Sequence, residues 1–108
     1  MNENLVVFEL QSQMCRALGH PLRLRIINML KDGDRKPVNE IVSILGETQP
    51  TVSRHLAALR STGILETHRK GLEVFYEITS PKVVEVCDLM RMVLLEQETQ
   101  RAEMFNLI

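Results

Sequence analysis

Val38-Asn39-Glu40-Ile41-Val42-Ser43-Ile44-Leu45-Gly46-Glu47-Thr48-Gln49-Pro50-Thr51-Val52-Ser53-Arg54-His55-Leu56-Ala57-Ala58-Leu59 is the stretch whose pattern decides the fold. Val38, Ile41, Val42 and Leu45 recur at i, i+3, i+4 and i+7, the spacing of one helix face. Gly46 closes the run, because glycine accepts the left-handed backbone after a helix. Thr48 then caps a second helix with Gln49 and Pro50 in its first turn and Val52, Leu56 and Leu59 as its buried stripe, stopping near Gly63. Only Glu47 and Thr48 stand between Gly46 and Gln49, so the two helices turn sharply against each other. A short helix, a tight glycine-containing turn and another short helix make a helix-turn-helix.

Working outward, Leu10, Met14, Ala17 and Leu18 give a first helix over residues 4–18, ended by Gly19. Pro21 opens a second, with Leu22, Ile26, Met29 and Leu30 on one face until Asp32-Gly33-Asp34 breaks it. Beyond Gly63 the pattern becomes strand-like around Leu65 to Arg69, turns at Lys70-Gly71-Leu72-Glu73, and continues through Val74 to Ile78, a β-hairpin. Ser80-Pro81 starts a fifth helix over residues 81–104. The expectation is a mainly α fold of five helices and a two-stranded hairpin, with residues 1–108 in a single domain.

Composition narrows the function. The 44% hydrophobic and 25% charged residues suit a globular core, and the aromatic share of 4% makes that core aliphatic. A net charge of −1 excludes a polybasic coat for nucleic acid or anionic membrane, so any DNA contact is local. Two cysteines are too few for a disulfide framework, and Met1-Asn2-Glu3-Asn4 lacks a signal peptide's cationic region, which makes the cytoplasm the default address. No nucleophile–base set, glycine-rich phosphate loop or cluster at metal-ligand spacing is visible, so an enzyme is not expected and no metal ligand is assigned.

The fourth helix carries the functional signal. With Val52 facing the core, Pro50, Arg54, Ala57, Ala58 and Ser61 point outward and Thr51 and Ser53 flank them. A merely solvated face is ordinarily filled by Lys and Glu, both missing here. Small side chains let a helix enter the major groove, and Thr, Ser, Gln and Arg supply donors and acceptors for bases and phosphates. His55 lies nearer the core side, and two readings stay open for it: a DNA contact at the helix edge, or a satisfied, partly buried histidine. His20, directly before Pro21, reads as a helix-start residue rather than a metal ligand. His68, Arg69 and Lys70 approach the hairpin turn. From Thr48 to Lys70 four cations oppose Glu66 alone, a net of +3, leaving −4 to the rest of the chain. Three basic residues at a turn are by themselves better explained by a solvated turn.

On the fifth helix, Glu85, Asp88 and Arg91 form one narrow charged strip between Val83 and Leu95. The rest of its circumference is apolar, more than one small domain covers, and the simplest partner is a second copy across a two-fold axis, with helix one alongside. Such a dimer sets two recognition helices one DNA turn apart, ~34 Å, and predicts an inverted-repeat operator.

Leu18-Gly19-His20-Pro21-Leu22-Arg23-Leu24-Arg25-Ile26, Thr48 through Leu56, and Leu59-Arg60-Ser61-Thr62-Gly63-Ile64-Leu65 together resemble the ArsR/SmtB family of repressors. The resemblance implies a dimeric winged helix-turn-helix with helices one and five at the interface, helix four in the major groove and the hairpin as the wing. It implies DNA-reading roles for Gln49, Thr51, Ser53 and His55, wing roles for Arg69 and Lys70, and release from DNA by an inducer, often a metal, metalloid or thiol-reactive species. Family sensor patterns are not matched. Helix three has Glu40-Ile41-Val42-Ser43 where arsenic sensors carry thiols, helix five has no His, and helix two shows Ile27-Asn28-Met29 where persulfide sensors have a cysteine.

What remains is Cys15 on helix one and Cys87 on helix five. Each is read as a small buried hydrophobe, or the two approach one another as a redox-active pair or a site for a thiophilic ion. A disulfide requires Cα atoms within ~7 Å. The function expected is a dimeric, sequence-specific DNA-binding repressor released by an inducer acting near helices one and five. The alternative is a winged-helix protein-interaction module within a larger complex.

Overall fold

The computed structural model describes residues 3–107. Its elements follow the order α1 (Glu3–Leu18), α2 (Pro21–Met29), a 3₁₀ turn (Lys31–Gly33), β1 (Lys36–Pro37), α3 (Val38–Leu45), α4 (Gln49–Ser61), β2 (Leu65–Lys70), β3 (Glu73–Ile78) and α5 (Pro81–Asn106). Three helices start alike: a side chain at the N-cap accepts a backbone N–H and proline stands in the first turn, with His20 before α2, Thr48 before α4 and Ser80 before α5. Proline costs nothing there, since its missing N–H would have had no partner in the helix.

α4 ends in a Schellman motif. Gly63 takes φ +77°, its N–H reaches Arg60 O at 3.0 Å, and the Ile64 N–H reaches Leu59 O at 3.0 Å. The apolar pair that accompanies this motif is Leu59 with Ile64, both fully buried. Thr79 Oγ1 then donates to Gly63 O at 2.6 Å, tying the end of β3 to the end of α4.

The sheet differs from the expected two-stranded hairpin. It has three antiparallel strands in the order β1-β3-β2, with Lys36 opposite Tyr76 and Pro37 opposite Phe75. A two-residue strand containing proline carries no alternation to reveal it, and it exists only because β3 offers an edge. The hairpin loop lies within the expected turn, Lys70 to Glu73. Gly71 and Leu72 alone form it, with Gly71 at φ +64° and no left-handed backbone at Leu72, as a type II′ turn with glycine first demands.

The core is Ala17, Ile26, Ile27, Leu30, Ile41, Leu45, Val52, Leu56, Leu59, Ile64 and Leu65, contributed by α1 through β2. α5 has no buried residue and only lays Val83, Val84 and Cys87 against this cluster. Its 26 residues extend ~39 Å, and the radius of gyration, 16.9 Å, exceeds the ~13 Å of a compact chain of this length. Leu5, Val7, Phe8 and Leu10 of α1 and Leu89, Met90, Val93 and Leu94 of α5 are all more than half exposed. No helix among the described residues is long and apolar enough to cross a membrane.

Candidate nucleic-acid interface

α4 is seated by Val52, Leu56 and Leu59, each fully buried, so the opposite face is fixed in direction. Gln49, Pro50, Ser53, Arg54, Ala57 and Ser61 are exposed, and Thr51 and Ala58 are half-buried. At the N-terminus, Thr48 Oγ1 accepts the Thr51 N–H at 3.4 Å and donates to Thr51 Oγ1 at 2.9 Å. Of the first-turn N–H groups, that of Thr51 is capped, that of Val52 reaches Thr48 O at 3.1 Å and Pro50 has none, so that of Gln49 is left beside the positive end of the helix dipole, an arrangement that favours an anion. This face holds one formal charge, Arg54, so whatever it meets is met by hydroxyls, an amide and one guanidinium.

His55 is half-buried and satisfied at one ring nitrogen. Its Nδ1 accepts from Arg23 Nε at 3.0 Å, and its ring lies 4.3 Å from that of His20, centroid to centroid. Burial first, then the neighbouring charges of His20, Arg23 and Arg54, lowers its pKa below the ordinary 6.5. With Nδ1 accepting, the neutral ring carries its proton on Nε2. The same Arg23 donates through Nη1 to Ala17 O at 3.3 Å, so one guanidinium joins the end of α1 to α4. Arg23 was not singled out in the sequence, because a partner 32 residues away leaves no local signature. His20 is the helix-start residue expected, its Nδ1 accepting the Leu22 N–H at 3.1 Å.

In the wing, Arg69 and Lys70 are exposed next to the turn and Leu72 at the tip is fully exposed. His68 is held differently: its Nε2 is bonded to Glu77 Oε1 and lies 3.4 Å from Glu66 Oε1. Arg35 Nε donates to Glu77 Oε2 at 2.6 Å, and that bond, with smaller help from Glu66 and His68, holds the Glu77 carboxyl below its usual range. The sequence shows no cluster at metal-ligand spacing, yet the ladder makes one: Glu66, His68 and Glu77 place ligand atoms within 4.8 Å of one another. The missed signal was the turn. A two-residue loop at Gly71-Leu72 fixes every cross-strand partner by counting back, and puts Glu66 opposite Glu77.

Both thiols are free. Cys15 is exposed on α1, and Cys87 is half-buried on α5 against the core, where burial pushes its pKa up. Cys87 is thus partly covered by the core, whereas Cys15 is open to solvent in the single chain.

Residues 20–67 match the family model described as bacterial regulatory protein, arsR family. The transcriptional repressor PagR of Bacillus anthracis is 37% identical over 79 residues, spanning 73% of this chain and 79% of PagR. The biofilm growth-associated repressor of Xylella fastidiosa is 33% identical over 89 residues, 82% of this chain and 77% of that protein. Among solved structures, the homodimeric winged helix-turn-helix DNA-binding domain Mb0332 of Mycobacterium bovis superposes with a TM-score of 0.80 at 27% identity, covering 89% of this chain and 88% of that one.

Proposed function

Because the chain belongs to the arsR family of bacterial regulatory proteins, we propose that it acts as a homodimeric repressor holding an inverted-repeat operator, with one α4 of the pair in each of two successive major grooves. The observation that carries this reading is the outward face of α4: small, hydroxylated and dipole-positive at its start. Gln49, Pro50, Thr51 and Ser53 make the groove contacts, Arg54 meets a phosphate at the groove edge, and Arg69 and Lys70 meet the flanking backbone. His55 contributes its Nε2–H from the helix edge. His68, engaged with Glu66 and Glu77, supports the wing rather than touching DNA.

The exposed apolar faces of α1 and α5 support pairing through those helices, and the releasing signal is proposed to act there, near Cys15 and Cys87. Fluorescence anisotropy with duplexes from the promoter of its own gene tests the proposal. Affinity falling steeply between ~50 and ~200 mM salt is expected, since phosphate contacts release counterions. Salt-insensitive binding, or none to any promoter duplex, overturns it in favour of a protein-docking module.

A further inference from the structure

Glu66 stands directly across the β2–β3 ladder from Glu77, and like charges so placed repel. His68 lies two residues along the same strand and therefore on the same face. Its Nε2 contacts Glu77 Oε1 and approaches Glu66 Oε1 to 3.4 Å. One imidazole nitrogen and two carboxylate oxygens, from three side chains on two strands, thus converge within 4.8 Å. We propose that Glu66, His68 and Glu77 form a binding site for a divalent transition-metal ion, with Zn²⁺ the best match, at the wing.

Three features support that assignment. Ligand bonds of ~2.0–2.2 Å in tetrahedral array place ligand atoms about 3.4 Å apart. The His68–Glu66 separation already has that value, and the direct His68–Glu77 contact must open to admit an ion. An imidazole with two carboxylates is a donor set suited to zinc-like ions, and three protein ligands leave a fourth position to solvent. Finally, Arg35 holds Glu77 Oε2, the outer-partner arrangement that orients a ligating carboxylate and leaves its other oxygen facing the ion. A ligating imidazole must give its lone pair to the ion and so adds no charge, and with it the two carboxylates and the Arg35 guanidinium make a net negative ligand set for a cation.

The ion would cross-link β2 to β3 and, through Arg35, the segment entering β1. Any effect on operator affinity rests on the function proposed above, whereas ion binding does not. The test titrates the chelator-stripped full chain with Zn²⁺ against a chromophoric chelator, and with Co²⁺ followed by visible absorption. Glu66→Gln and His68→Gln are measured alongside, circular dichroism checking that each folds as wild type. One ion per chain, at least a tenfold loss of affinity in both variants, and a Co²⁺ spectrum without thiolate charge transfer are expected. An ion pair only, seen as no binding by wild type, overturns the proposal, as does undiminished affinity in either variant or a thiolate band marking Cys15 or Cys87. Ion binding without operator binding would retire the proposed function and leave the metal site standing.

Discussion

Leu89→Ala should dissociate the dimer without unfolding the protomer. Leu89 is 60% exposed in the single chain and takes no part in the core, which draws on α1 through β2. Fully burying a leucine side chain yields about 1.5–3 kcal/mol, so covering the exposed part yields about 1–2 kcal/mol per protomer. A two-fold interface contains the residue twice, and truncating it costs the dimer about 2–4 kcal/mol. At about 1.4 kcal/mol per decade, the dimer dissociation constant rises roughly 30- to 700-fold. Sedimentation equilibrium over a concentration series measures the constant, and far-UV circular dichroism confirms that the helices persist. Leu72→Ala is the control, because Leu72 is fully exposed at the wing tip on a different part of the surface and should leave the constant unchanged. A Leu89→Ala dimer as tight as wild type would refute the assignment of α5 to the interface.

Arg54→Ala should weaken binding to all duplexes by a similar factor and reduce the salt slope by ~1, as loss of one phosphate contact does; a change confined to one base position would reassign Arg54 to base reading. Thr48→Ala should lower unfolding free energy by about 0.5–1 kcal/mol, the low end for an N-cap because the Thr51 N–H bond is long at 3.4 Å, read as a shifted urea midpoint at constant m. For His55, whose pKa burial holds below 6.5, the unfolded chain takes up the proton first. The stability present above pH 6.5 therefore declines as pH falls toward the folded value. His55→Gln should show a flatter decline between ~pH 8 and ~pH 5 than wild type, and parallel midpoint curves would count against it. Mild oxidant should alter operator affinity in wild type and not in Cys87→Ser, slowly near neutral pH because burial raises the thiol pKa; unchanged wild-type affinity removes the thiols from signalling.

The helices were legible because their causes are local. Gly46, Thr48 and Pro50 act on backbone atoms within a few residues, and the spacing of Val52, Leu56 and Leu59 is helical geometry written directly into sequence, so α3 and α4 fall where the pattern puts them. The outward face of α4 was legible for the same reason, since fixing the buried stripe fixes its opposite. β1 was not, because Lys36-Pro37 becomes a strand only by borrowing the edge of β3. Nor were Arg23 with His55 or Arg35 with Glu77, pairs 32 and 42 residues apart in sequence.

That division has a functional consequence. The residues that shape the groove-facing surface are set by local rules, whereas those that tie the surface to the rest of the molecule are set by long-range pairing. Arg23 joins Ala17 at the end of α1 to His55 on α4, and Arg35 joins the entry to β1 with the root of the wing. α5, meanwhile, buries none of its residues in the single chain and meets the core through Val83, Val84 and Cys87, leaving most of its apolar side open. A fold built this way keeps α4 anchored by a core in which α5 has no buried residue, and in the proposed dimer it leaves the spacing of two such helices to α1 and α5. Under the proposed dimer, substitutions on α5 should therefore move operator affinity more steeply than protomer stability, because α5 contributes no buried residue to the core.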